Sequence, residues 1–403
     1  MSASAQPSAQ QPLAGVKIIE LSTMITCAVA AMMLSAQGAE VIKVEPPVIG
    51  DPGRLIGTQK NGVSAFFHNC NRGKRSLAID LKTQAGRNAV KRLAADADVL
   101  LHNYRPGVMD KLGLGSDTLR AANERLIYLG VSGFGTTGPM SGNAAYDHVI
   151  QGLSGLTSMQ GRDSEMKYIN TLICDKITAY TVAQATTAAL LARASTGKGQ
   201  HIDISMLQAS LAFMWPDGMM HKTIEDTDGV IDMPPMSEYY QTLDLRDGSV
   251  ALAPLQDHHW NAILPMLGYP ELLEDARFNS MGGRLMHMDH VMAVLKEPRT
   301  DHSVAEALEI LTAADVPCAP CIARDDLKTH PQIEAIEALE TYETPLHGAL
   351  TVPRPPAKFA GENPSQAAPS PALGEHSRSI LETLGYSSED IDTLIAEGSV
   401  ACG

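Results

Sequence analysis

The sequence predicts an α/β protein with a mostly parallel sheet, followed by a smaller α+β domain. Three observations carry this reading. Short apolar runs of strand length alternate with helical segments from Gly15 to about Ser205, which implies right-handed βαβ units. The alternation stops near Trp215 and gives way to a hairpin pattern. The chain has 403 residues, more than one simple core holds.

In chain order, "VKIIEL" is a short strand, and "CAVAAMMLSAQG" is a helix closed by Gly38 just past its end. "AEVIKVE" and "SLAIDL" are strands. "TQAGRNAVKRLAADA" is an amphipathic helix with Thr83 as its N-cap. "DVLLHNY" and "LIYLGVSGF" are two further apolar strands, and ligands of such sheets sit beyond the strands' carboxyl ends. "TGKGQ" is the turn between the helix that follows Asp175 and the strand "HIDIS"; it lacks the frame of a phosphate loop. Between Trp215 and Pro235 the pattern dissolves into a connection. "YYQTLDLRDGSVALAP" reads as a hairpin turned at Asp247-Gly248, and helices follow around Trp260 and over "SVAEALEILTAAD". These place the smaller domain over residues 239–323. A proline-rich extended stretch and two short helices, "SRSILETLG" and "SEDIDTLIAEG", follow.

Composition narrows the function. Hydrophobic residues make up 44%, charged residues 19% and aromatics only 4%, so small aliphatic side chains fill the core. A formal net charge of -15 argues against a nucleic-acid binder, although a local basic patch can still hold a small anion. No run reaches the length of a membrane helix. Residues 1–11 lack the features of a secretory signal and read as a disordered tail. Six cysteines in this length make no disulfide framework, which suits a reducing cytoplasm.

Two motifs tempt. "CAPC" (Cys318 to Cys321) has redox spacing, but it follows a helix and starts a strand, where ordinary cysteines suffice. "DHHW" and "HMDH" have no further ligand to complete a metal site, so no metal is expected. Asp175, at the head of "CDKITAYTVAQATTAALLAR", reads on its own as a helix N-cap, accepting from the first free N–H groups. Composition and periodicity go no further.

Taken together, several stretches resemble the class III CoA-transferases, which include formyl-CoA transferase, carnitine CoA-transferase and α-methylacyl-CoA racemase. They are "PLAGVKIIEL" with "GAEVIKVEPPVIGDPGR", "NRGKRSLAIDLK", "NYRPGVMDKLGLG", "SGFGTTGP", "YDHVIQGLSGL" and "TGKGQHIDISMLQASL". The resemblance runs from Pro12 to the C-terminus. It implies a large Rossmann-like CoA-binding domain built from residues 12–215 and 335–403. Residues 216–238 and 324–334 become linkers to the small domain, and two ring-shaped subunits interlock as a homodimer.

The resemblance places the family's nucleophilic aspartate on Asp175, where a helix N-terminus would keep it ionised. An acyl-CoA donor and a carboxylic acid acceptor are the implied partners, with coenzyme A as substrate and no tightly bound cofactor. By correspondence, Thr23, Met24, Ile25 and Thr26 border the pantetheine arm. Ile79, Leu81 and Lys82 lie on the adenine and phosphate side. Asn103, Tyr104, Arg105, Lys111 and Leu112 follow the next strand, where Arg105 or Lys111 meets phosphate. Ala145, Tyr146, Asp147 and Gln256 lie near the thioester.

The chain departs from the family at Thr26-Cys27-Ala28, where "AGP" is frequent, and at "DMPPMSEYY", where formyl-CoA transferase carries a glycine lid. The rival reading is the racemase branch. Tyr146 and Gln256 occupy that branch's histidine and glutamate positions, so transfer is favoured. A non-catalytic CoA-binding subunit would lack the nucleophile. Intramolecular transfer within a dicarboxylic acid stays open.

Overall fold

The computed structural model describes residues 11–161, 165–231, 241–344, 348–360, 365 and 368–403. Residues 1–10 of the expected tail and the segment "DMPPMSEYY" (residues 232–240) lie outside them. The chain divides into two compact units, Met1–Trp215 with Glu334–Gly403, and Pro216–Ile333.

The first unit is built on one sheet. Its strands are β1 (Lys17–Leu21), β2 (Glu40–Glu45), β3 (Arg75–Ile79), β4 (Val99–His102), β5 (Ile127–Ser132), β6 (His201–Ser205) and β7 (Val400–Ala401). They run in the order β7-β3-β2-β1-β4-β5-β6, all parallel except β7, which pairs antiparallel with β3. The order 3-2-1-4-5-6 is that of doubly wound sheets, whose winding reverses between β1 and β4 and opens a crevice beyond their carboxyl ends. Strands buried on both faces read as continuous apolar runs. Leu77, Val99, Leu100 and Leu101 are accordingly fully buried, and Ile19 nearly so.

Four helices position the site: α1 (Thr26–Ala36), α2 (Gln84–Asp96), α3 (Asp147–Ser154) and α4 (Ile173–Thr196). α1 is buried over most of its surface, which suits its run of alanine, methionine and leucine. The Thr83 hydroxyl caps α2 by accepting from the Gly86 N–H at 3.0 Å. Gly197 ends α4 at φ 72, a left-handed turn that costs glycine little. One core cluster joins Leu21, Leu77 and Leu100 with Val90 of α2 and with Ile380, Leu381 and Leu394 near the C-terminus.

The second unit packs Leu243, Val250, Trp260, Ile263 and Leu311 around a three-stranded antiparallel sheet. Two expectations need correction here. The hairpin strands Gln241–Leu245 and Gly248–Leu252 pair Leu245 with Gly248, so Arg246 and Asp247 make the turn, one residue earlier than expected. The dissolution expected from Trp215 starts a few residues later, and residues 224–231 are then irregular as expected. Helix Met206–Gly218 carries Pro216 within it, and helix Met220–Thr223 follows. "CAPC" opens the short strand Cys318–Pro320, as expected. Among the described residues no helix is long and apolar enough to cross a membrane.

Candidate active site at the sheet reversal

The loops leaving β1 and β4 are tied to each other where the winding reverses. The Asn103 side chain accepts from the Thr23 N–H at 3.1 Å and donates to the Thr23 carbonyl at 2.8 Å. It also donates to the Thr26 hydroxyl at 3.2 Å. One amide therefore ties both loops together through a residue just past the end of β4.

These loops wall a pocket of about 230 Å³. Thr23, Met24, Ile25 and Thr26 form one side, Asn103, Tyr104 and Arg105 another, and Ala145, Tyr146 and Asp175 a third. A Cβ on Gly133 would stand 2.2 Å from the Ala145 Cβ, so only glycine lets these two segments approach. Asp175 is the one carboxylate among the described residues that line the pocket.

Asp175 does not cap its helix. α4 starts at Ile173 after Leu172, which makes no side-chain cap bond, so Asp175 stands at the third helical position. The cap comes from another helix. Asp147, 2% exposed on α3, accepts the Asp175 N–H on Oδ2 at 3.0 Å. Its Oδ1 accepts from Gln151, one turn further along α3, at 2.6 Å. Gln151 in turn braces the approach to α4, accepting from the Ile169 N–H at 2.9 Å and donating to the Thr171 carbonyl at 3.2 Å.

This arrangement also overturns the expectation that the helix start keeps Asp175 readily ionised. Burial, and then the Asp147 carboxylate beside it, push the Asp175 carboxyl up to about 7 against a weaker pull from Lys176. The dipole of the helix start is outweighed first by burial and then by the second acid that supplies the cap.

The remaining residues named from sequence are distributed differently. Leu81, Tyr104 and Leu112 pack half-buried on the same core cluster, with Lys82 and Lys111 exposed nearby in sequence. Ile79 is 1% exposed within that core, so its side chain is committed to packing and not offered to a ligand. Gln256 belongs to the second unit, where its N–H donates to His259 at the start of helix Asp257–Met266. Sequence reasoning missed the buried charges behind the Thr23–Thr26 loop. Glu20 and Lys43 lie in the apolar runs of β1 and β2 and pair at 2.7 Å with fully buried side chains. A charge inside a central strand was the available signal. Among the described residues no cluster of His, Cys and carboxylates is arranged to hold a metal.

The profile of CoA-transferase family III matches residues 13–377. The chain belongs to this family and is an enzyme of that class, which moves CoA between an acyl-CoA and a carboxylic acid. It is 30% identical to succinate–glutarate CoA-transferase of Agrobacterium fabrum, over 94% of this chain and 97% of that one. It is 31% identical to acetyl-CoA:oxalate CoA-transferase of Acetobacter aceti, over 92% and 95%. Among solved structures, a CAIB/BAIF family protein from Brucella suis superposes with a TM-score of 0.80 at 32% identity, covering 93% of this chain and all of that one.

Proposed function

We propose that Asp175 is the nucleophile of a CoA transfer that runs through covalent intermediates. The one carboxylate among the described residues that line the pocket, held by its backbone at the sheet reversal, is the observation that carries this reading. Ionised Asp175 attacks the acyl-CoA carbonyl, the C–S bond breaks, and CoA leaves as thiolate from a mixed anhydride. The thiolate attacks the Asp175 acyl carbon, releasing the donor acid as carboxylate and leaving an aspartyl-CoA thioester. The acceptor carboxylate then displaces the thiolate to form a second anhydride. Thiolate attack on the acceptor's acyl carbon frees the new acyl-CoA and regenerates Asp175. Dividing one exchange into covalent steps lowers each barrier.

Thr23–Thr26 and Asn103–Arg105 border the pantetheine arm, while Leu81, Lys82, Lys111 and Leu112 serve the nucleotide end. The names of the relatives, which pair succinate with glutarate and acetyl-CoA with oxalate, support a dicarboxylic acid as at least one of the two acids. Exposed Arg105 on the pocket wall suits a second carboxylate. The large unit is proposed as the CoA-binding domain of an interlocked homodimer. The racemase alternative has less support, because Tyr146 lines the pocket while His148 stays exposed, stacked on Tyr146 with ring centroids 6.3 Å apart.

The test is to incubate the protein with succinyl-, glutaryl- and oxalyl-CoA, trap with hydroxylamine or borohydride, and map the product by mass spectrometry. Modification at Asp175 that disappears in Asp175→Asn is expected. Exchange of α-hydrogen with deuterated water in the absence of any acceptor acid would overturn the reading in favour of racemisation.

A further inference from the structure

Met24 has φ 68, a left-handed backbone that residues with a Cβ rarely adopt. It sits mid-way along the Thr23–Thr26 wall. Its N–H is gripped by both oxygens of the Asp51 carboxylate, at 3.1 Å and 3.2 Å. Asp51 is 1% exposed and also accepts from the Gly53 N–H at 2.8 Å. Behind it stands Lys43, whose ammonium lies 2.9 Å from Asp51 and 2.7 Å from Glu20, and donates to the Ser22 carbonyl at 3.0 Å. Glu20 is shared with Lys74 at 2.6 Å, and Lys74 also donates to Asn71 and the Ala28 carbonyl. Against burial, which pushes it up, the two ammoniums hold the Glu20 carboxyl down at about 2.

Every hydrogen-bonding group of this cluster is used within the first unit. Apolar residues of equal volume commonly stabilise a core at least as well as buried ion pairs do. A cluster of four charges under a ligand-facing loop therefore asks for a reason beyond stability. The strained residue supplies one, because strain persists only where surrounding structure over-determines it.

We propose that Asp51 is a positioning residue for the thioester site: anchored by Lys43, it holds Met24 in the left-handed conformation that shapes the Thr23–Thr26 wall. The inference rests on the reading of that pocket as the thioester site. The chain from Glu20 through Lys43 to Asp51 makes the clamp rigid, so the wall is preformed before the acyl-CoA arrives.

A double-mutant cycle tests this by measuring kcat and KM for acyl-CoA in Asp51→Asn, Met24→Gly and the pair. Glycine takes a positive φ without a clamp, so Asp51→Asn should cost about tenfold or more in kcat/KM beside Met24 but under about threefold in the Met24→Gly background. Equal losses in the two backgrounds would overturn the proposal. If Asp51→Asn does not fold, Met24→Pro serves instead. It removes the N–H and forbids the positive φ without touching the charges, so kcat/KM should collapse in a protein with unchanged circular dichroism. Wild-type kcat/KM in Met24→Pro would likewise overturn it. Trapping at Asp175 in the wild type separates the two levels. Without any wild-type adduct the site reading itself fails. With one, equal adduct rates in all variants sink only the role of Asp51.

Discussion

Replacing Asp175 by asparagine removes a group whose ionisation the fold opposes, so the variant should lose turnover and gain stability. The carboxyl sits near 7 in the folded protein against an ordinary 3.8. The folded state therefore holds this proton more tightly than the unfolded chain does. Its stabilising contribution is full below pH 3.8 and is lost as pH rises through about 7. At about 1.4 kcal/mol per pH unit, the three-unit gap sets the penalty of ionised Asp175 at roughly 4 kcal/mol by pH 8. About half of that is already present at pH 5.5, so the advantage of Asp175→Asn should grow by about 2 kcal/mol between the two pH values. Urea unfolding of both proteins at pH 5.5 and 8 reads this difference directly. An advantage that does not change with pH, or a variant less stable at pH 8, would refute the account of burial and like charge.

Three further substitutions probe the same framework. Asp147→Asn removes the neighbouring charge, so the acid limb of kcat/KM should move to lower pH. Because Asp147 repels only free, ionised Asp175, this variant should also trap less covalent adduct at equilibrium. An unmoved limb would leave burial as the only cause. Asn103→Ala unties the two loops, and the loss of hydrogen bonds worth about 1 kcal/mol each should raise KM for acyl-CoA about tenfold, as initial rates will check. Thr83→Ala, remote from the pocket, should cost about 1 kcal/mol in urea unfolding while kcat stays at the wild-type value.

Periodicity and caps made the parallel sheet legible. The strands of Lys17–Leu21, Glu40–Glu45 and Val99–His102 are apolar runs bounded by turn residues, and Thr83 caps as its position suggests. Strand β7 left no such trace, because two residues of edge pairing have no period. The candidate site was named mainly through the family resemblance, and Asp175 with the Thr23–Thr26 and Asn103–Arg105 loops lines one pocket. What could not be read was the environment of Asp175. A lone Asp before a helical run looks like its own cap, whereas the cap is Asp147, 28 residues away in sequence. Tertiary hydrogen bonds of that kind follow from packing and leave no local pattern.

The antiparallel pairing of Val400 with Ile79 joins residues more than 300 positions apart, with the whole of Pro216–Ile333 inserted between them. Such closure has a high contact order and is slow. On the ribosome, β3 must wait with one edge unpaired while the inserted unit is synthesised and folds. An unpaired edge is a template for aggregation, so this chain should be most vulnerable late in its synthesis. Truncations that spare every pocket residue but remove β7 would then be lost to aggregation before catalysis could be assayed.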